Sequence, residues 1–252
     1  MNSRPAGVGH TSLLRIKSFL SGVFKHAKRE GFLDGENPMR DVSAPGRSAK
    51  FHGPAYTMSD IENHINAVGK KDMKAFTVIM TAAFTGMRES EIRGLRWEDY
   101  DGTPLRVRRS VWRTVINQPK TESSEASVPV LPLLQKALND HRQRVNGTDH
   151  QYIFAGERRG VPLNLANLAR RVIMPALADY SNEIKQHVEW KGWHAYRRGL
   201  ATNLQSCGVP AKVTQAILRH SSVSLTMDIY TQVPDADSRA ALAKIEEWLK
   251  VV

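Results

Sequence analysis

The feature that most constrains the fold is a change of hydrophobic period partway along the chain. Phe76, Ile79, Met80, Ala83 and Phe84 stand at i, i+3, i+4, i+7 and i+8, which places them on one buried helical face. Between Leu105 and Val130 the pattern turns β-rich, with runs over Val107 to Val115 and Ser127 to Val130 separated by a polar stretch from Gln118 to Ala126. Helical spacing then returns over residues 131–144, 164–179, 194–206, 211–219, 222–230 and 235–249. Such a chain is expected to fold as a mainly α domain with a small antiparallel β-sheet of three strands, an α+β arrangement.

Ahead of this region, Thr11 to Glu30 reads as a helix with Leu14, Ile16, Phe19, Leu20, Val23 and Phe24 in a broad stripe among basic residues, ended by Gly31. Pro45, Gly46, Ser48 and then His52-Gly53-Pro54 break the pattern. The reading therefore divides the chain into a helical region with its linker at 1–50 and a larger domain at 51–252. Ser59-Asp60-Ile61-Glu62 carries the capping-box pattern and marks the first helix of the second part. No internal repeat or low-complexity tract stands out.

Composition limits what these elements can do. Thirty-six Lys and Arg against 25 Asp and Glu leave a formal charge of +11 in 252 residues, a balance suited to a polyanion and above all to nucleic acid. A solvated basic surface is the plainer alternative. The single cysteine, Cys207, excludes a disulfide framework and a multi-cysteine zinc site; followed by Gly208, it reads as a half-buried helix-end residue without chemistry. Residues 1–10 have no apolar core of a leader peptide, and the longest apolar stretch, near 76–87, is too short to cross a bilayer. A soluble, intracellular protein is expected, with no membrane partner.

Four patches carry candidate chemistry: Thr85-Gly86-Met87-Arg88-Glu89-Ser90-Glu91, Lys120, His194-Ala195-Tyr196-Arg197, and Leu218-Arg219-His220 with Tyr230 ten residues later. Attack on a phosphodiester builds negative charge on the non-bridging oxygens, so fixed cations around phosphorus are what catalysis needs. Arg88 and Arg197 offer planar forks that match phosphate oxygens. No carboxylate cluster at metal-ligand spacing accompanies them, so the reading is a metal-free site without a cofactor. His194 and Arg197, three apart at a helix start, share a face, although one such pair alone is more often an ordinary helix end. Arg88 and Glu91 repeat the spacing; the plain reading is a surface ion pair worth about 0.3 kcal/mol, and the functional one has Glu91 orienting the basic cluster. Tyr230 is the candidate nucleophile, its phenol of ordinary pKa about 10 needing neighbouring cations to lose its proton. Taken alone, such a tyrosine is far more often an amphipathic residue at a helix edge. Lys120, in a polar loop between strands, could bring an ammonium to a departing 5′ oxygen, whereas most loop lysines are simply solvated.

Together these residues resemble the tyrosine recombinase (phage integrase) family over about residues 57–233. Arg88 with Glu91, running on into Leu95-Arg96-Trp97-Glu98-Asp99, is similar to the family's first arginine box. Lys120 is similar to its β-hairpin lysine, and His194 and Arg197 to its His-x-x-Arg box. His220 and Tyr230-Thr231 resemble its Leu-Gly-His-Ser and nucleophile segments. Ile153-Phe154-Ala155-Gly156 and Gly160-Val161-Pro162-Leu163 resemble its connector.

The resemblance implies that Tyr230 attacks a scissile phosphate to give a 3′-phosphotyrosyl intermediate and a free 5′ hydroxyl. Arg88 and Arg197 would hold the non-bridging oxygens, Lys120 would be the general acid, His194 would assist proton transfer and His220 would donate a hydrogen bond. It further implies double-stranded DNA as partner, a homotetramer on paired sites, accessory DNA-bending proteins, and a C-terminal helix over 235–249 that docks on a neighbouring subunit or packs on its own domain. Arg219 stands where the family usually has Gly, and Ser127 where a basic residue often follows the lysine loop. Residues 11–42 resemble only the last part of the family's core-binding domain. Two other functions remain open at this point: a DNA-binding remnant that no longer recombines, and a type IB topoisomerase-like relaxing enzyme, separable by topology assays on supercoiled plasmid.

Overall fold

The computed structural model describes residues 8–44, 53–117 and 126–219, and the chain divides into two compact units, 1–53 and 54–252. In the first, helix α1 (His10–Arg29) ends with His26, Lys28 and Arg29 in its last turn, where basic groups suit the exposed carbonyls. Gly31 then turns left-handed at φ 76°, and the Phe32 amide closes back on the Ala27 carbonyl at 2.8 Å. None of α1 is buried within the unit.

The second unit opens with Tyr56, pinned by its amide to the Ala195 carbonyl at 3.2 Å and by its hydroxyl, which accepts from the Lys191 amide at 2.6 Å. That anchor sets where α2 (Met58–Gly69) begins. Its capping box is Thr57 with Asp60, each side chain accepting the other's amide at 3.1 and 3.0 Å. The box therefore sits two residues ahead of the expected Ser59 and Glu62, and Ser59 lies exposed in the first turn.

Helix α3 (Met73–Thr85) is the centre of the unit and packs against α2, α5 (Pro132–Val145) and α8 (Trp193–Ser206). It is buried on nearly every side, whereas the Phe76 and Phe84 that ended the predicted stripe are only half-buried. The buried hydroxyls of Thr77 and Thr81 donate to carbonyls one turn back, both at 2.8 Å. Around this helix the core gathers Tyr56, Trp97, Leu134, Leu138, Phe154 and Tyr196.

After α4 (Glu89–Gly94) and a 3-10 turn (Trp97–Asp99) come four short strands. β1 (Pro104–Val107) pairs antiparallel with β4 (Ala126–Pro129), Pro104 opposite Pro129 and Val107 opposite Ala126. β2 (Ser110–Trp112) pairs with β3 (Val115–Asn117) in a hairpin. The described residues thus form two two-stranded ladders rather than one three-stranded sheet. The predicted run over Val107 to Val115 is split in two ways. Arg109 is drawn aside to Asp99 and Glu98 at 2.6 and 2.8 Å, and Arg113 takes a left-handed turn at φ 53°.

The connector that follows α5 closes as an isolated bridge, with the Gly156 amide on the Val161 carbonyl and the Leu163 amide on the Phe154 carbonyl, both at 2.8 Å. The helix expected over 164–179 is three pieces: α6 (Leu165–Leu168), a π-helical turn (Ala169–Ile173) and α7 (Met174–Ile184). Pro175, which has no amide to donate, stands in the first turn of α7, two residues after the wide turn ends. α8 and α9 (Ala211–Leu218) are the last elements among the described residues. Cys207 caps α8 on the solvent side and is exposed, not half-buried. The segments 222–230 and 235–249 lie outside the described residues. No helix among the described residues is long and apolar enough to cross a membrane.

Candidate active site

Four helix ends meet in the second unit. α3 stops at Gly86, which is left-handed at φ 59° and lies so near α9 that a Cβ there would stand 2.6 Å from Leu218 Cδ2. Two residues later Arg88 is the N-cap of α4. α8 supplies His194 and Arg197 from its first turns, and the end of α9 supplies Leu218 and Arg219.

Arg197 joins these ends. It is 3% exposed; its Nη1 donates to the Gly86 carbonyl at 2.6 Å and its Nη2 to the Leu218 carbonyl. Burial pushes its guanidinium down to about 10, with Arg88 and Arg219 adding to the depression and Glu91 opposing it, so it is still a cation at neutral pH. Arg88, by contrast, keeps about half its side chain in solvent.

Glu91 sits between the arginines, buried. Its Oε1 accepts from Arg88 Nη1 at 2.7 Å. Its Oε2 accepts from the Arg88 amide at 2.9 Å and from Arg219 Nη2 at 2.7 Å. Burial alone would raise this carboxyl, but Arg219, the Arg88 amide and the Arg88 guanidinium outweigh it and hold the group below the usual carboxylate range. His194 is exposed beside them. Partial desolvation, followed by the charges of Arg198, Arg197 and Arg88, keeps its imidazole below the ordinary histidine range and hence neutral at physiological pH.

The structure thus brings together Arg88, Glu91, His194 and Arg197 from two sequence patches. Lys120, His220 and Tyr230 lie outside the described residues: Lys120 falls between β3 and β4, His220 directly follows Arg219, and Tyr230 lies ten positions further on. Arg219 is a member of the cluster that sequence reasoning noted only as a departure from a family pattern. The available signal was its place at the end of a helix, where the chain turns left-handed and the side chain is carried back toward the domain. Three guanidiniums against one carboxylate leave this cluster at +2, an arrangement suited to a phosphate. Among the described residues no three His, Cys, Asp or Glu side chains gather as they would around a metal ion.

Two supports hold the frame. On α4, Arg93 reaches the carbonyls of Leu163, Val111 and Arg113 at 3.1, 3.1 and 3.0 Å, fastening the β2–β3 hairpin and the connector to the helix that starts at Arg88. Behind α8, fully buried Tyr196 meets His64 Nδ1 at 2.6 Å, while His64 Nε2 meets the Glu189 carbonyl at 3.2 Å. The tautomer protonated at Nε2 satisfies both contacts.

A sequence model described as the phage integrase family matches residues 56–237. Among curated relatives, a tyrosine recombinase XerC-like protein of Caldanaerobacter subterraneus is 28% identical over 90% of this chain, which spans 63% of that relative's length. Tyrosine recombinase XerA of Pyrococcus furiosus is 24% identical over 88% of this chain and 71% of its own. Of solved structures, the Tn1549 transposon integrase in complex with a circular intermediate DNA superposes with a TM-score of 0.75 at 18% identity, covering 95% of this chain and 80% of that one. The XerH recombinase bound to its palindromic difH substrate gives 0.67 at 16%, covering 93% and 67%. At these identities the structural likenesses establish the fold.

Proposed function

The chain belongs to the phage integrase family, the tyrosine recombinases, and from that premise we propose that it is a site-specific DNA recombinase working through a 3′-phosphotyrosyl intermediate in the integration or excision of a mobile element. The observation that carries this reading is the cluster of Arg88, Arg197, Arg219 and Glu91, drawn from separate stretches of sequence and carrying a net charge of +2, with neutral His194 beside it.

The Tyr230 phenolate oxygen attacks the scissile phosphorus, the bond from phosphorus to the 5′ oxygen breaks, and that oxygen takes a proton from Lys120. Arg88 and Arg197 stabilise the charge on the non-bridging oxygens. Two of the five N–H groups of Arg197 are committed to the Gly86 and Leu218 carbonyls, which leaves the others for phosphate. His194 assists the proton transfer at the tyrosine, His220 donates a hydrogen bond to the phosphate, and Glu91 orients Arg88. Religation is the reverse attack by a DNA hydroxyl. Double-stranded DNA is the partner. Four copies assemble on paired sites, with DNA-bending proteins as accessories, and residues 1–50 serve as part of a core-binding region ahead of the catalytic domain at 51–252.

The test is incubation with a nicked half-site in EDTA, followed by denaturing electrophoresis. The wild-type chain should be trapped as a covalent protein–DNA adduct and Tyr230→Phe should give none. An adduct from Tyr230→Phe, or one that forms only on adding Mg²⁺, would overturn the reading.

A further inference from the structure

We infer that Arg219 is a positioning residue of the cleavage site, acting through Glu91 to hold the Arg88 guanidinium in place and to keep the cluster positively charged. This rests on the recombinase reading above and extends it to a residue outside the catalytic set.

The backbone conformation is the first observation. Arg219 is the C-cap of α9 at φ 55° and ψ 45°, a left-handed conformation that strains side chains bearing a Cβ and that glycine adopts freely. A residue chosen only to end the helix would be glycine, so the strain here is offset by what the side chain does. That side chain is 10% exposed and ends on Glu91 Oε2 at 2.7 Å, bridging residues 128 positions apart in sequence.

The second observation is how Glu91 divides its charge. Its two oxygens take three donors: Arg88 Nη1, the Arg88 amide and Arg219 Nη2. With Arg219 in place the carboxylate is shared between two guanidiniums, and Arg88 keeps much of its charge for a ligand. Without it, Glu91 would pair with Arg88 alone, and the cluster would fall from +2 to +1. A buried carboxylate left with one cationic partner would also draw Arg88 inward, away from the exposed side where half of its side chain now lies. The third observation is that Arg219 Nη1 is buried and has no hydrogen-bond partner among the described residues. The guanidinium is thus held there by its bond to Glu91 and by charge, not by a full set of donors satisfied in place.

Glycine and lysine at this position separate the roles. Arg219→Gly relieves the left-handed strain but also takes one cationic partner from buried Glu91, so the two effects oppose each other and the variant should remain folded at the assay temperature with a moderately lowered melting temperature. Its adduct formation on the nicked half-site should slow roughly ten- to hundredfold at saturating DNA, the size expected for one lost cation near a developing charge. DNA affinity should change by only a few-fold. Arg219→Lys restores a cation to Glu91 and should recover most of the rate. A parallel arm uses inorganic sulfate at constant ionic strength, read as thermal stabilisation, and needs no cleavage. There Arg219→Gly should weaken the apparent affinity by roughly tenfold and Arg219→Lys should restore it.

An Arg219→Gly variant that cleaves at the wild-type rate overturns the inference and leaves the recombinase reading intact. So does one that loses its fold, since that makes the residue structural, and so does an Arg219→Lys variant no better than Arg219→Gly. If the wild-type chain forms no adduct while sulfate binding still depends on Arg219, the recombinase reading falls and the charge-sharing role stands. If sulfate binding is indifferent to Arg219, the role falls with it.

Discussion

Arg88 and Arg197 carry the same guanidinium in opposite surroundings, and that difference predicts how each tolerates lysine. Arg197 is buried and spans two carbonyls, Gly86 and Leu218, from segments 111 and 21 positions away. A lysine ammonium is a single point and cannot bridge both as a planar fork does. Arg197→Lys should therefore leave one buried carbonyl unsatisfied and cost about 1–3 kcal/mol of folding stability. Arg88→Lys keeps a half-solvated charge beside Glu91 and should stay within about 0.5 kcal/mol of wild type. Both should cleave poorly, so urea denaturation beside the adduct assay separates a defect of frame from a defect of chemistry. Equal stability for the two variants would contradict the tie between α3 and α9. The spacing of His194 and Arg197 made their common helix legible in the sequence, but i, i+3 fixes a face and says nothing of depth. Arg197 is deep because the ends of two helices distant in sequence, α3 and α9, close over it.

At the scale of elements, the start of α2 shows how tertiary anchoring chooses among local signals. Thr57-x-x-Asp60 and Ser59-x-x-Glu62 both match the capping pattern, and the pinned Tyr56 selects the first. Thr57→Ala should cost about 1 kcal/mol, whereas Ser59→Ala should be neutral within about 0.3 kcal/mol, measured by thermal or urea unfolding. The reverse order would mean that the helix begins later in solution. The same logic explains which elements could be read in advance. Helices α1, α3, α5, α8 and α9 follow from periodicity and their caps, because those signals are local. The split of the β region depends on Arg109 leaving the strand line for Asp99 and Glu98. The π turn before Pro175 depends on how a helix reroutes around a missing donor. Neither leaves a periodic trace. Arg219 escaped for a related reason: a left-handed C-cap points its side chain by backbone geometry, and sequence spacing does not report that direction.

At the scale of the whole second unit, its first residues are fastened to the elements near α8, and the fastening titrates. His64 joins Tyr196 across 132 positions and the Glu189 carbonyl across 125. Beside it, Lys191 pairs with Asp60 at 3.0 Å and stands over the Tyr56 ring. His64 is fully buried, and its imidazole is pushed down to about 4, chiefly by desolvation; the Glu189 carbonyl and Asp60 act the other way, while Lys191 adds to the depression. In the unfolded chain the same ring titrates near 6.5. Between these values the unfolded state binds the proton that the native state refuses, so stability rises with pH across that window. The contribution is complete above about pH 6.5 and is lost as the pH falls toward 4, a change on the order of 3 kcal/mol. His141, also buried and lowered first by desolvation, adds in the same direction. Urea unfolding at pH 7.5 and 4.5 should show this loss in the wild-type chain. His64→Gln, which retains a hydrogen-bonding group for Tyr196 but no titrating ring, should flatten much of the slope at some cost in stability at pH 7.5. Because this fastening holds the helix that carries His194 and Arg197, adduct formation should fall together with stability in the wild type. An unchanged slope in His64→Gln would remove His64 as the origin of the acid sensitivity and leave it to His141 and the carboxylates paired around the site.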